Sequence, residues 1–182
     1  VELHKVGMQQ LSLRGVARRA GVTHAAAYHH FADKDALLRR VAQEGFEKLY
    51  ASMQESIAEA GPNADPVAQL RGAGVGYLRF AAEDPQALML MFDGTDMEGD
   101  DELQTAARSA FDTLLHCVVA ARAHCKLPGD PLPDAMLHWS IVHGFSALVR
   151  AGRMKCAGIV DGVAYGSLLL DRVMAIYQTT TG

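Results

Sequence analysis

Apolar positions recur at the spacing of amphipathic helices along almost the whole chain. Near the N-terminus, Leu13, Val16, Ala17 and Ala20 follow the i, i+3, i+4, i+7 pattern of one helix face. No stretch alternates with period two for long enough to predict a strand. The chain is therefore predicted to be all-α. Glycine and proline breaks place its later helices at about 33–60, 66–82, 85–92, 101–126, 133–151 and 158–178.

Two short helices near the N-terminus are predicted to form a helix-turn-helix. Ser12 is the expected N-cap of the first helix, Gly21 ends it, and Thr23 caps the second. The opening "VELHKVGMQQ" looks like a helix end closed by Gly7, so we expect an earlier helix to be truncated here. We divide the chain into a three-helix N-terminal domain, 1–50, and a larger helical-bundle domain, 51–182. "GPNADP" at 61–66 is the strongest break near that division.

The second short helix has an unusually small predicted outer face. At 100° per residue, Ala27 and Phe31 point to one side and are the expected core residues. The opposite face would carry Ala25, Ala26 and His29, flanked by His24, Tyr28 and His30. Such a low-relief surface with hydrogen-bonding edges suits the major groove of DNA, where alanine can contact a thymine methyl. A helix buried against another helix would also favour alanine, so this alternative stays open.

Charge is distributed unevenly along the chain. Residues 1–50 contain eight Lys and Arg and five Asp and Glu. Residues 51–182 contain nine Lys and Arg and sixteen Asp and Glu. A basic N-terminal quarter indicates a polyanionic partner for that part, although chance clustering gives the same count. The cations expected to surround a DNA groove and contact phosphates are Arg14, Arg18, Arg19, Lys34, Arg39 and Arg40.

The stretch "LSLRGVARRAGVTHAAAYHHFADKDALL" resembles the DNA-binding domain of the tetracycline-repressor (TetR) family. The shared features are Ser12, the "GV" of the turn, and the ending Tyr28-x-His30-Phe31-x-x-Lys34-x-x-Leu37. Gly15 departs from the acidic residue that is common there and removes a capping-box partner for Ser12. Together with the charge pattern, the resemblance implies DNA contacts, mostly to phosphates. Residues 24–26 would lie nearest the bases. The residues implied are Ser12, Arg14, Thr23, His24, Ala25, Ala26, Tyr28, His29 and Lys34.

The resemblance also implies an assembly and a function. Members are all-helical homodimers, usually repressors, in which an effector bound in the C-terminal domain respaces two DNA-binding heads. The expected partners are double-stranded operator DNA, a second copy of the chain and a small hydrophobic effector. The dimer interface would be a four-helix bundle of the last two helices. Gly158, Gly162 and Gly166 lie four residues apart and form a ridge that belongs either to this interface or to packing within the subunit. The residues assigned to the interface are Leu137, Phe145, Leu148, Gly162, Gly166 and Leu170.

One motif in the C-terminal part suggests where the effector binds. Trp139 and His143 share a helix face in "HWSIVHGF", and Trp-x-x-x-His-Gly resembles the C-terminal subclass named for these three residues. With Met89 and Phe92 they are the predicted walls of an apolar pocket, in which His143 would orient the ligand. A core tryptophan with a hydrogen-bonded histidine, and methionines that only fill the core, remain alternatives.

Other chemistry is not favoured by the sequence. The His-Cys pairs at 116–117 and 124–125 lie eight residues apart, about 12 Å along a helix, which is too far for a disulfide or one zinc ion. The acidic loop "DGTDMEGDDE" suggests calcium, but read from Asp96 its sixth position is Asp101 instead of glycine and its twelfth is Ala107 instead of glutamate, so it fails as a calcium loop. No metal, cofactor or catalytic residue is expected. The alternative function is a helical enzyme using His143 with Asp134, Asp112 or Glu83.

The cellular location is also an expectation at this stage. The three cysteines form no CxxC pair, which favours reduced thiols. No apolar run approaches the roughly 20 residues of a membrane span, and no basic-then-apolar leader is visible. We therefore expect a cytoplasmic protein.

Overall fold

The structure is a computed structural model that describes residues 12–93 and 95–177, apart from the side chains of His24 and Asp93. All regular structure within these ranges is helical, which confirms the predicted fold class. The possible earlier helix falls before residue 12, outside the described residues. The helices are α1 Leu13–Ala20, α2 His24–His30, α3 Lys34–Glu59, α4 Pro66–Glu83, α5 Pro85–Asp93, α6 Asp101–His124, α7 Leu132–Arg150 and α8 Gly162–Met174, with short 3-10 turns at Arg153–Ala157 and Ala175–Tyr177.

The helix ends follow local sequence signals. The Ser12 hydroxyl accepts the Gly15 N–H at 3.1 Å, and the Thr23 hydroxyl accepts the Ala26 N–H at the same distance. Gly21 ends α1 with φ of 71°, a conformation that costs glycine little and other residues more. Asp33 caps the start of α3 through the Ala36 N–H at 2.7 Å. The predicted caps at Ser12 and Thr23 are therefore confirmed.

The described residues fall into two compact units that do not match the two continuous predicted domains. The first combines the chain up to Phe46 with Gln86–Ala107, and the second combines Glu47–Pro85 with the chain from Arg108 onward. Helix α3 contributes residues to both units, since it runs unbroken from Lys34 to Glu59. The unit that contains the helix-turn-helix therefore also includes Gln86–Ala107, a segment that the predicted division after residue 50 placed in the C-terminal domain.

Packing within the first unit explains why 86–107 belongs to it. A Cβ added at Gly45 would lie 2.6 Å from the Met91 sulfur, so α5 lies directly on the α3 backbone there. Phe46 packs edge-to-face on Phe92 with ring centroids 5.5 Å apart. Arg39 forms an ion pair with Asp100 at 3.4 Å. In the same unit α1 packs on α2 and buries Leu13 and Ala17.

The second unit is built around α4, whose glycines allow close helix approach. A Cβ at Gly76 would lie 2.6 Å from the Met53 Cα, and one at Gly72 would lie 3.1 Å from the Ile57 Cα. The backbones of α3 and α4 therefore touch without side chains between them. The Ser52 hydroxyl reinforces this contact by donating to the Gly76 carbonyl at 2.9 Å. Helix α4 also packs against α7 and α8.

The last helix begins later than the sequence indicated. Residues 153–157 form a 3-10 turn between Gly152 and Gly158, which have φ of 69° and 72°, and α8 starts at Gly162. Gly158 therefore ends a turn and is not the first member of a helical glycine ridge. Across the described residues, no helix is both long and apolar enough to cross a lipid bilayer.

Candidate functional site

Helix α2 exposes part of the face that the sequence predicted. Ala25 and His29 are exposed, as is Tyr28 at 50%, whereas Ala26, also predicted to be exposed, is half-buried like the predicted core residue Ala27. The rings of His29 and His30 stack with centroids 5.6 Å apart. The surface available to a partner thus carries methyl groups, one phenol and two imidazoles.

Exposed cations lie next to this helix. Arg14, Arg18 and Arg19 all project from α1 into solvent, and Lys34 is half-buried at the start of α3. A cleft of about 420 Å³ lies along α1 and is lined by Ser12, Arg14 and Arg18, among others. Arg18, which the sequence placed only among the flanking cations, shares this cleft with two predicted DNA contacts.

The capping residues also keep a hydrogen-bonding capacity. The hydroxyl oxygens of Ser12 and Thr23 accept backbone N–H groups, so each O–H proton remains to be donated. Both side chains lie at the exposed start of a helix, where the backbone N–H groups favour an anion. This arrangement fits a phosphate oxygen as partner.

In the second unit, the Trp-His-Gly motif lies beside Tyr77, a residue that was not predicted to belong to this site. The Tyr77 hydroxyl is 2.7 Å from Nδ1 of His143 and also hydrogen-bonds Trp139. Because an indole N–H only donates, the tyrosine oxygen accepts from Trp139. In the His143 tautomer that carries its proton on Nε2, the Tyr77 hydroxyl donates to Nδ1. Burial raises the pKa of Tyr77, so the hydroxyl stays protonated and keeps this donor role.

The four predicted pocket residues are divided between the two units, with Trp139 and His143 in the second and Met89 and Phe92 in the first. Phe111 packs on Trp139 in the second unit with ring centroids 5.4 Å apart. Met89 and Phe92 are half-buried in the first unit, where Phe92 contacts Phe46. A pocket that uses all four predicted walls stays a prediction.

The residues predicted for the dimer interface fall into two sets. Leu137 and Leu148 are exposed, 42% and 47% accessible, as an interface requires. Phe145 and Leu170 are instead buried within their own chain, and a Cβ at Gly166 would lie 2.7 Å from Leu78. Their assignment to the interface is corrected, because their own subunit already covers them.

Gly162 is half-buried, so its place in the interface stays a prediction. A Cβ there would lie 3.1 Å from a methyl group of Val149 in the same chain. Gly162 and Gly166 therefore both contribute to packing inside the subunit.

A second polar cluster joins the ends of three helices and was missed by the sequence analysis. His138 and Tyr177 are each 3% exposed, their rings stack, and Nε2 of His138 lies 3.1 Å from the tyrosine hydroxyl. Tyr177 also hydrogen-bonds Asp134, which forms an ion pair with Arg122. Arg122 in turn donates to the Pro128 carbonyl.

The electrostatics of this cluster favour a neutral histidine. Burial lowers the pKa of His138 from 6.5 to about 4, although the negative charge of Asp134 opposes the shift. Burial also raises the pKa of Tyr177. A neutral His138 and a protonated Tyr177 can then form a chain of donors that ends on the Asp134 carboxylate.

Comparison with known families decides what kind of protein carries these sites. A family profile described as "Tetracyclin repressor-like, C-terminal domain" matches residues 70–165. A second, described as "Bacterial regulatory proteins, tetR family", matches residues 2–41. The chain belongs to the TetR family. The chain spans little more than a third of the length of the curated relatives it matches, and its helix-turn-helix lies within the segment matched by the second profile.

Individual relatives agree with TetR-family membership. The HTH-type transcriptional regulator BetI of Yersinia pestis is 32% identical over 74 residues, which is 41% of this chain and 37% of that protein. A protein of unknown function from Rhodococcus sp. RHA1 superposes with a TM-score of 0.80 at 28% identity and covers 95% of this chain and 88% of its own. The TetR-family regulator PfmR of Thermus thermophilus has the same fold, with a TM-score of 0.77, 17% identity, and coverage of 96% and 93%.

Proposed function

We propose that this TetR-family protein is a homodimeric repressor that leaves its operator when a small, largely apolar effector binds. The observation that carries the proposal is the exposed, low-relief face of α2 beside the exposed arginines of α1. This combination suits a helix that enters a major groove while its neighbours hold the phosphates.

The DNA contacts divide by chemistry. Residues 24–26 are small or lie at the start of the recognition helix, so they are assigned to base edges and thymine methyl groups. Cations and hydroxyls fix the register without reading sequence. The residues assigned to phosphates are Ser12, Arg14, Thr23, Tyr28, His29 and Lys34, joined now by Arg18.

Binding to the DNA upstream of the protein's own reading frame tests this proposal. Fluorescence anisotropy with a labelled duplex should show an affinity that falls steeply between about 50 and 200 mM salt, because phosphate contacts release counterions. A shuffled duplex of equal length is the control and should bind more weakly. Equal affinity for both duplexes, or no dependence on salt, would contradict an operator-binding function.

The effector region is proposed to centre on Trp139 and His143, which would make the C-terminal domain a member of the Trp-His-Gly subclass. The hydrogen bond with Tyr77 orients the ring of His143, and in the tautomer protonated on Nε2 that nitrogen is an N–H donor. A ligand with one acceptor group and an otherwise apolar body fits such a donor among aromatic walls.

A comparison of the wild-type protein with a His143 variant distinguishes a ligand-binding histidine from one that only supports the core. An effector would first be found by its shift of the melting temperature across a compound library. Replacing His143→Phe should then weaken effector binding by about 1–3 kcal/mol, because a buried acceptor loses its donor. Operator binding without effector should survive. Equal effector titrations of the two preformed operator complexes would show that His143 only supports the core.

The dimer interface is proposed to be the exposed faces of α7 and α8. Leu137, Gly144 and Leu148 lie seven and four residues apart on one stripe of α7, and a Cβ at Gly144 would meet nothing within 4 Å. On α8, Tyr165 and Leu168 are 40% and 59% exposed. Contiguous apolar surface of this kind marks a protein interface, and a four-helix bundle would bury it.

The proposal extends to a cytoplasmic location, where operator DNA is found, with no cofactor and no catalytic role. Asp134, one of the three carboxylates that the enzyme alternative could use, is engaged in an ion pair with Arg122.

A further inference from the structure

A groove in the second compact unit lies away from the Trp139 and His143 cluster and shares no residue with it. It is formed by the end of α4, the end of α7 and the start of α8, and its volume is about 420 Å³. That volume is within the range of small-molecule sites. Its walls are mostly apolar and include Leu78, Val149 and Val163.

One polar residue in these walls stands out by its burial. Ser146 is 7% exposed, and no hydrogen bond to its side chain is formed within the described ranges. The other buried polar residues, Ser56, Thr113 and His138, each have a hydrogen-bond partner.

A helical serine usually satisfies itself by donating to a carbonyl one turn earlier, as Ser167 does to Val163 at 3.0 Å. Leaving a buried hydroxyl unpaired is costly. Ser146 is therefore suited to a hydrogen bond from a molecule in the groove.

The groove also has a cationic end. Arg150 lines it one turn after Ser146, so both residues lie on the same face of α7. Asp161 lines it too, but its carboxylate accepts the Ala164 N–H at 2.9 Å as the cap of α8. An anionic group entering between Ser146 and Arg150 would gain a hydroxyl donor and a guanidinium.

We propose that this groove is a second small-molecule site, for a monocarboxylate with an apolar body. The carboxylate is bound by Ser146 and Arg150, and the hydrocarbon body packs among Leu78, Val149 and Val163. The site is separate from the effector region proposed above, so either proposal can fail without the other.

Octanoate and octan-1-ol are the probes that test this site, because they share a chain and differ in the head group. Methyl NMR spectra of the full-length protein should show shifts of Leu78, Val149 and Val163 as octanoate is added. Octan-1-ol should bind about ten-fold more weakly, since a charge-assisted hydrogen bond to Arg150 is lost.

Paired variants locate the contacts. Ser146→Ala should weaken octanoate binding about three- to ten-fold, and Arg150→Gln about ten-fold or more. The matched controls are Ser140→Ala and Arg153→Gln, which change residues outside the groove and should leave the affinity unchanged. Ala82→Phe adds a ring at the exposed rim and should abolish binding while circular dichroism shows an intact fold.

Three results would overturn the proposal. Equal affinity for octanoate and octan-1-ol, or unchanged binding in Ser146→Ala and Arg150→Gln, would remove the carboxylate site. Methyl shifts outside the groove would place the ligand elsewhere. Binding that is seen only after dilution to monomers would show that a second copy of the chain fills the groove.

Discussion

The buried His138 makes the stability of the protein depend on pH in a defined window. In the unfolded chain the imidazole titrates near 6.5, whereas burial lowers the pKa in the folded protein to about 4. As the pH falls below 6.5, the unfolded chain binds a proton that the folded protein does not. The free energy of unfolding therefore falls by about 1.4 kcal/mol per pH unit until the folded histidine also titrates, for a total of about 3 kcal/mol. Above pH 6.5 this contribution is fully present.

The assay is urea unfolding at fixed protein concentration at several pH values between 4 and 7.5, with His138→Gln beside the wild type. Glutamine retains a donor for Tyr177 but does not titrate in this range. At neutral pH the variant should be the less stable protein, and its deficit should shrink by about 3 kcal/mol as the pH approaches 4. Carboxylates common to both proteins cancel in this difference. His116→Gln, at an exposed histidine of α6, is the matched control for the loss of any imidazole. Parallel curves for wild type and His138→Gln would refute the argument that His138 folds as a neutral, desolvated ring.

Three further outcomes follow from the geometry. Lys34→Ala should weaken binding to all DNA sequences alike and lower the salt slope by about one unit, whereas Lys48→Ala, outside the helix-turn-helix, should leave that slope unchanged in anisotropy titrations. Gly76→Ala should destabilise the fold by about 1–3 kcal/mol or more in urea unfolding, because its methyl would meet the α3 backbone. Leu148→Glu should shift light scattering towards monomers and weaken operator binding without unfolding the subunit, and a dimer that persists would exclude this face of α7.

The N-terminal helices could be predicted from sequence because their signals are local. Ser12, Gly21 and Thr23 act on backbone groups within four residues, and such short-range hydrogen bonds need no knowledge of the rest of the fold. The buried side of α1 also followed from spacing, since Leu13 and Ala17 lie one turn apart and are both buried.

Features that depend on distant partners could not be predicted. On the long helix, Leu38 and Ala42 are buried, whereas the neighbouring apolar residues Leu37 and Val41 are only half-buried. The difference arises because Gly45 lets α5 approach α3 closely, and helix spacing alone cannot show that.

The surroundings of Trp139 and His143 and the neighbour of the glycine ridge also depend on contacts between residues that are distant in sequence. Trp139 and His143 were visible as a motif, but Tyr77, which orders them, lies 66 residues from His143. The glycine ridge of α8 was visible too, yet spacing could not say whether its neighbour is a partner or the same chain.

The glycine contacts between α3 and α4 also bear on the order in which the second unit assembles. The bond from Ser52 to the Gly76 carbonyl closes a loop of only 24 residues, while the ion pair between Arg71 and Asp171 joins residues 100 apart. Closing the longer loop costs about 1 kcal/mol more in chain entropy, before α6 and α7 have been ordered. Contacts of low sequence separation form fastest, so the α3–α4 hairpin is the natural nucleus and α8 docks onto it late. Destabilising changes at the hairpin should slow folding, whereas changes at α8 should mainly speed unfolding.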